Sequence, residues 1–249
     1  MPILRPVLLL LLCLTAYAAA PLRMVADNSL APPMARFDAA RNTLLDGIVF
    51  DFGNALAAEL GRQVHFKVVP TRRTRLLLQS GQADLLCFYS PIWLNEAELP
   101  AQRRFLWSHE LVLDRDVLLQ PRKAKPASNL DDLHGLRIGT VHGYVYPVLQ
   151  PLQDAGLIQR DDTHSIEANL AKLRAGRLDA AVVNEVNFRY LRKLDPALDA
   201  ELQQTLTLHE AMLACAVSRR SAIPFARLDA AIRTLITRGD LAWIYQRYQ

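Results

Sequence analysis

The stretch VHFKVVPTRRTRLLLQSGQADLLCF, residues 64–88, decides the fold class. Val64 to Val69 reads as a strand, Arg73 to Ser80 as a short helix stopped by Gly81, and Ala83 to Phe88 as a strand again. Strand, helix and strand in succession argue an α/β fold with a largely parallel sheet. The alternation extends upstream. Leu22 to Ala26 reads as a strand, and Val49, Phe52, Leu56 and Leu60 recur at helical spacing with Gly61 as the C-terminal cap. Downstream, Pro91 to Arg104 breaks the pattern and reads as a loop; Val112 to Leu119 is a long extended stretch, followed by a surface turn from Pro121 to Pro126.

A second alternating unit begins at Leu136. Arg137 to Val141 is a strand. Val145, Val148, Leu149 and Leu152 share one helical face, with Pro147 in the first turn and Pro151 bending the helix. Ser165 caps a helix carrying Ile166, Leu170 and Leu173, which ends at Gly176, and Ala180 to Val183 is a buried strand. Near the C-terminus Phe225, Leu228, Ile232, Leu235 and Ile236 form one stripe. Gly239 stops it, and Asp240 caps a last helix with Leu241, Ile244, Tyr245 and Tyr248 on one face.

The 249 residues are 51% hydrophobic and 22% charged, a globular composition. The net charge of +4 is scattered, with no basic block to track a phosphate backbone, so no nucleic-acid partner is expected. Arg5, the apolar run Val7 to Leu14 and Ala16-Tyr17-Ala18 read as a secretory signal peptide over residues 1–18. The run is shorter than the roughly 17–25 residues of a membrane span. Cys13 leaves with that segment. Cys87 and Cys215 remain, an even pair in an oxidising compartment, open to a disulfide or to two buried thiols.

The six histidines are dispersed and no paired CxxC or HExxH occurs, so no metal site is expected. GxSxG, P-loop and dinucleotide fingerprints are also missing, so neither catalytic residues nor a cofactor are expected. Gly135, Gly139 and Gly143 have the wrong spacing for a phosphate cradle, and Glu96 and Glu98 read as solvated loop residues rather than an acid–base pair. This pattern favours a binding protein over an enzyme.

Five motifs in order carry a family resemblance: Gly47 to Gly61, Leu77 to Asp84, Leu130 to Gly143, Leu173 to Val183 and Arg238 to Tyr248. Together they resemble the bacterial extracellular solute-binding proteins of the amino-acid-binding type (family 3). The resemblance implies a two-lobed α/β periplasmic-binding-protein fold of type II, with the ligand in the cleft between the lobes. It places lobe 1 at residues 19–112 and 210–249 and lobe 2 at residues 113–209, crossing first near Leu111 to Asp116 and returning near Leu208 to Ala211. It implies a monomer in the periplasm. The protein would capture a small polar, carboxylate-bearing, amino-acid-like ligand by lobe closure and deliver it to an ABC permease in the membrane. Presentation of the ligand to a membrane sensor, or a periplasmic cyclohexadienyl-dehydratase-like activity, are the alternatives.

The same resemblance implies the site. Asn28 and Leu30 lie on the loop after the first strand, and Tyr89, Ser90 and Trp93 follow the third. Arg103, or its neighbour Arg104, would grip a carboxylate, with Arg72 and Arg73 near the mouth. Gly143 and Tyr144 would offer amides at a helix start, and Asn184 stands where an aspartate would hold an ammonium. Glu185 faces away if the strand continues. The resemblance also sets Cys87 and Cys215 on neighbouring strands, which implies a disulfide between them.

Overall fold

The computed structural model describes residues 19–38, 40–144 and 146–249; the signal peptide expected at residues 1–18 lies outside them, as does Val145. In chain order the elements are β1 (Leu22–Asp27), β2 (Arg36–Asp38), β3 (Thr43–Asp46), α1 (Ile48–Glu59), β4 (Val64–Val69), α2 (Thr71–Gln79), β5 (Leu85–Tyr89), β6 (Leu106–Trp107) and β7 (Val112–Pro121). Next come β8 (Arg137–Val141), α3 (Gln150–Asp154), β9 (Gln159–Thr163), α4 (Ile166–Arg174), β10 (Ala180–Asn184), α5 (Glu185–Leu194), α6 (Ala197–Glu201), β11 (Leu202–Val217), α7 (Phe225–Thr237) and α8 (Asp240–Tyr248).

The main sheet runs β4-β1-β5-β11-β7-β10-β8-β9, with β6 on β11. Its two ends are parallel units, β4-β1-β5 and β10-β8-β9. Between them the long strands β7 and β11 pair antiparallel from Leu202↔Pro121 to Leu213↔Val112. Each unit has its own cores. Leu22, Met24, Phe52, Leu56, Leu228 and Ile232 fill the first, whereas Val117, Leu119, Leu170 and Val183 fill part of the second. The result is a two-lobed α/β molecule in which α7 and α8 return to the first lobe.

One turn occurs in both units, and its chemistry explains the repeat. Asp84 accepts from the backbone N–H of Arg23 at 2.9 Å and from its guanidinium at 2.7 Å. Asp179 likewise accepts from the N–H of Arg137 at 2.8 Å. Each aspartate follows a glycine that ends a helix, and each pins the strand that begins its unit. Glycine is required where the chain comes close: Gly47 sits at φ +115°, and a Cβ there would meet the carbonyl oxygen of Met34 at 2.8 Å.

One expected helix is shorter than its reading, the strand expected over Ala180 to Val183 forms, and three strands went unread. The helix expected from Val145 is only α3, because Pro151 falls in its first turn and residues 146–149 precede it as a turn. The strand after Ala180 stops at Asn184, whose side chain caps α5 by accepting from the N–H of Val186 at 3.1 Å. The hairpin of β2 and β3 and the edge strand β9 are too polar and short to register as apolar runs.

Candidate functional site

The strand ends that carry polar groups converge at the junction of the two units. Asp27 closes β1, fully buried. Its Oδ1 accepts from the Ser29 N–H at 2.9 Å, the Ser29 hydroxyl at 2.8 Å and the Thr71 hydroxyl at 3.0 Å, and its Oδ2 accepts from the Tyr89 hydroxyl. Tyr89 reaches Asp27 because β5 bulges. Leu85, Cys87 and Phe88 all enter one core cluster, while Leu86 and Tyr89 enter the other. The break in alternation sits at Phe88, at φ +62°, opposite a register shift between Ala214 and Ala216. A regular strand would turn Tyr89 to the Cys87 face, away from Asp27. Burial first, then the Asp27 charge, pushes the Tyr89 hydroxyl well above its usual range.

Next to the bulge, Cys87 on β5 and Cys215 on β11 are bonded, S–S 1.99 Å. The disulfide fastens the strand bearing Tyr89 to the long crossing strand.

Asp114 and Asp116 stand at i and i+2 of β7, on one face of the crossing strand. Asn184 donates to Asp114 at 2.8 Å. Asp116 pairs across the ladder with His209. Burial pushes Asp114 up to about 6; the charges of Asp116 and Glu185 add to this, while Asn184 and His209 oppose it. Burial also raises Asp116, against the pull of His209 and Asn184. Tyr144 ties the groups together. Its hydroxyl donates to the Ser29 carbonyl at 3.2 Å, and after burial its upward shift comes from the charges of Asp27 and Asp116. A second contact crosses the junction, from Asn187 Nδ2 to the Pro32 carbonyl at 2.6 Å. Beside Asp116, a recess of about 10 Å³ lies between Tyr146, Pro147, Leu208 and His209, about one water in size.

The structure brings together Tyr89, Tyr144 and Asn184 from the expected set. Trp93 stacks edge-on against Tyr89 at 5.9 Å, 43% exposed, and Ser90 is buried where its carbonyl accepts from the Trp93 N–H. Asn28 is exposed on its turn, and Leu30 packs against the first lobe's core. Gly143 stands in a turn at φ +84°, not at a helix start, since α3 begins at Gln150.

Arg103 is a correction. Its guanidinium donates to the carbonyls of Ala97 and Glu98, at 3.0 and 3.1 Å, inside its own loop. Arg104 does the same with Leu94, Asn95 and the Glu96 carboxylate, whose side chain is fully buried. A loop with two prolines and few apolar anchors exposes many carbonyls, and these two arginines satisfy them. Glu96 is therefore a bracing residue and not a solvated one.

Asp27, Thr71, Asp114 and Asp116 were missed. The signal for the last pair was present: two aspartates two apart within Val112 to Leu119, an otherwise apolar strand with Arg115 between them.

No protein-family model matches the sequence, and no curated protein is significantly similar to it. Solved structures are similar in fold. An ancestral arginine-binding protein bound to arginine superposes with a TM-score of 0.66 at 21% identity, over 92% of this chain and 97% of that one. The GluR0 ligand-binding core in complex with L-glutamate gives 0.70 at 16% identity, over 92% and 98%. A histidine kinase sensor domain with similarity to periplasmic binding proteins gives 0.67 at 19%, over 92% and 95%. With two parallel units, two crossing strands and polar residues gathered at the strand ends between them, this chain has the periplasmic-binding-protein fold.

Proposed function

We propose that the protein is an exported, monomeric solute-binding protein whose lobes close on a small polar molecule and present it to a membrane permease. Lobe 1 would comprise residues 19–112 and 210–249, and lobe 2 residues 113–209. The observation that carries this reading is the pair of hydrogen bonds across the junction, Tyr144 to Ser29 and Asn187 to Pro32, around polar groups at the strand ends. Open α/β sheets bind ligands beyond the carboxyl ends of their strands, and hinged lobes shut over them. Among the described residues no helix is long and apolar enough to cross a membrane.

A thermal-shift screen of amino acids, amines and small carboxylates tests the reading. A solute at 100 times its dissociation constant adds about 2.7 kcal/mol of stability. Small-angle scattering with that solute should show the radius contract. A panel that neither shifts the melting temperature nor changes the radius refutes the function. The similarity to a sensor domain favours a second partner, a membrane receptor. Pull-down of solute-loaded protein with each candidate membrane partner separates the two. Prephenate should be left unconverted; turnover would reveal the dehydratase-like alternative.

A further inference from the structure

We propose that the solute is a small organic cation, held by Asp114 and Asp116 and gripped by no carboxylate clamp; this rests on the solute-binding reading. The negative side of the cleft is in surplus. Asp114 and Asp116 face the same way from β7, and the neighbouring groups acting on them are the Asn184 amide, His209 and, unfavourably, Glu185. Glu185 is itself engaged by Arg115 and Arg189. Two carboxylates partly withdrawn from water call for a counter-charge.

The positive side is already committed. Arg103 and Arg104 bind their own loop. Arg160 donates to Thr140 and Asp162 at 2.9 and 2.8 Å and to the Tyr144 carbonyl at 3.2 Å. Arg72 and Arg73 are exposed on the first turn of α2, where water competes with any ion pair. The Asn184 side chain is spent on Asp114 and on the N–H of Val186, and Asp27 is saturated by four donors. An arriving carboxylate finds few donors here, whereas an ammonium or guanidinium finds two acceptors. Tyr144 stands close enough to Asp116 to feel its charge, and an aromatic ring there suits a cation.

Titration calorimetry with matched pairs tests this. Agmatine is arginine without its carboxylate, cadaverine is lysine without its own, and glutarate is the acid control. At least one amine should bind roughly tenfold or more tightly than its parent amino acid, with glutarate silent. Asp114→Asn and Asp116→Asn should each weaken that amine roughly tenfold, and Arg103→Ala should leave it unchanged. Thermal unfolding verifies that each variant is folded. Tighter binding by glutarate or by a parent amino acid, or unchanged affinity in both aspartate variants, overturns the cation assignment alone. No binding by any of these or by the wider solute panel overturns the solute-binding function with it.

Discussion

The Tyr144 hydroxyl donates to the Ser29 carbonyl at 3.2 Å, joining the turn after β8 to the turn after β1. On the solute-binding reading, that bond belongs to the closed arrangement and would be lost when the lobes part. Tyr144→Phe keeps the ring and removes the donor, at about 0.5–1.5 kcal/mol. Solute affinity should fall roughly 2- to 10-fold while the unfolding midpoint of the free protein hardly moves. Scattering should show less contraction on solute binding in the variant than in the wild type. Unaltered affinity and contraction would falsify the role of this latch.

Asp114 gives the free protein a pH dependence of known sign. Burial raises its pKa from 3.8 to about 6, so the folded state holds this proton more tightly than the unfolded chain. The contribution to stability is complete below about pH 4 and is lost as pH rises through 6, up to about 3 kcal/mol. The groups facing it are Asp116 on the same strand, His209 on β11, Asn184 on β10, Glu185 on α5 and Tyr245 on α8. Asp84 acts oppositely: burial alone would raise it, yet its bonds to Arg23 hold it below the usual carboxylate range. The difference between wild type and Asp114→Asn isolates one from the other. In urea unfolding the variant should be the more stable at pH 7.5, with the gap closing by pH 4.5. A gap independent of pH would assign it to packing.

The sequence makes the frame of this site readable and hides its contents. Strand runs such as Ala83 to Phe88 and caps such as Ser165 are local, and local chemistry decides them. The cleft depends on two things that are not local. One is the bulge at Phe88, which turns Tyr89 toward Asp27 and has no signature in the residues themselves. The other is the competition for arginines: nothing in Arg103 or Arg104 announces that the carbonyls of their own loop will claim them. Asp114 and Asp116 were legible by alternation, but an extended stretch read only for its apolar residues conceals a polar face.

The bond between Cys87 and Cys215 closes a separation of 128 residues, so its removal releases a large loop in the unfolded chain. Cys87→Ser with Cys215→Ser should lower stability by up to about 5 kcal/mol. Both sulfurs are buried, so in the native protein neither should be reached by a reductant until the fold opens. Thiol titration with and without denaturant checks this. Two reactive thiols in unreduced, denatured protein would show that the bridge does not form.

Arg103 and Arg104 should matter for the loop and not for the solute. Arg104→Ala leaves the buried Glu96 carboxylate without its ion pair, at a cost of about 2–4 kcal/mol. Limited proteolysis between Pro91 and Arg104 should accelerate in that variant. Arg103→Ala leaves two carbonyls to water, with a smaller effect. If instead Arg103→Ala abolishes solute binding without loosening the loop, the guanidinium swings into the cleft on closure.

Asp27 and Asp116 differ in how they are satisfied, and the same substitution should move stability in opposite directions. Four donors converge on Asp27, two from Ser29 and one each from Thr71 and Tyr89. An asparagine keeps one acceptor oxygen and presents an NH2 group where a donor already points. Asp27→Asn should destabilise the free protein by about 1–3 kcal/mol, because the buried Tyr89 hydroxyl loses its carboxylate partner while Ser29 and Thr71, which are exposed, can turn to water. Asp116 lies under the opposite pressure: burial disfavours its charge, and Asp114 stands two residues away on the same face. Asp116→Asn removes that charge and should stabilise the free protein at pH 7.5. Urea unfolding of both variants at that pH is the measurement. Loss of stability in both would mean that Asp116, too, is satisfied within the fold, and the surplus of negative charge in the cleft would no longer stand.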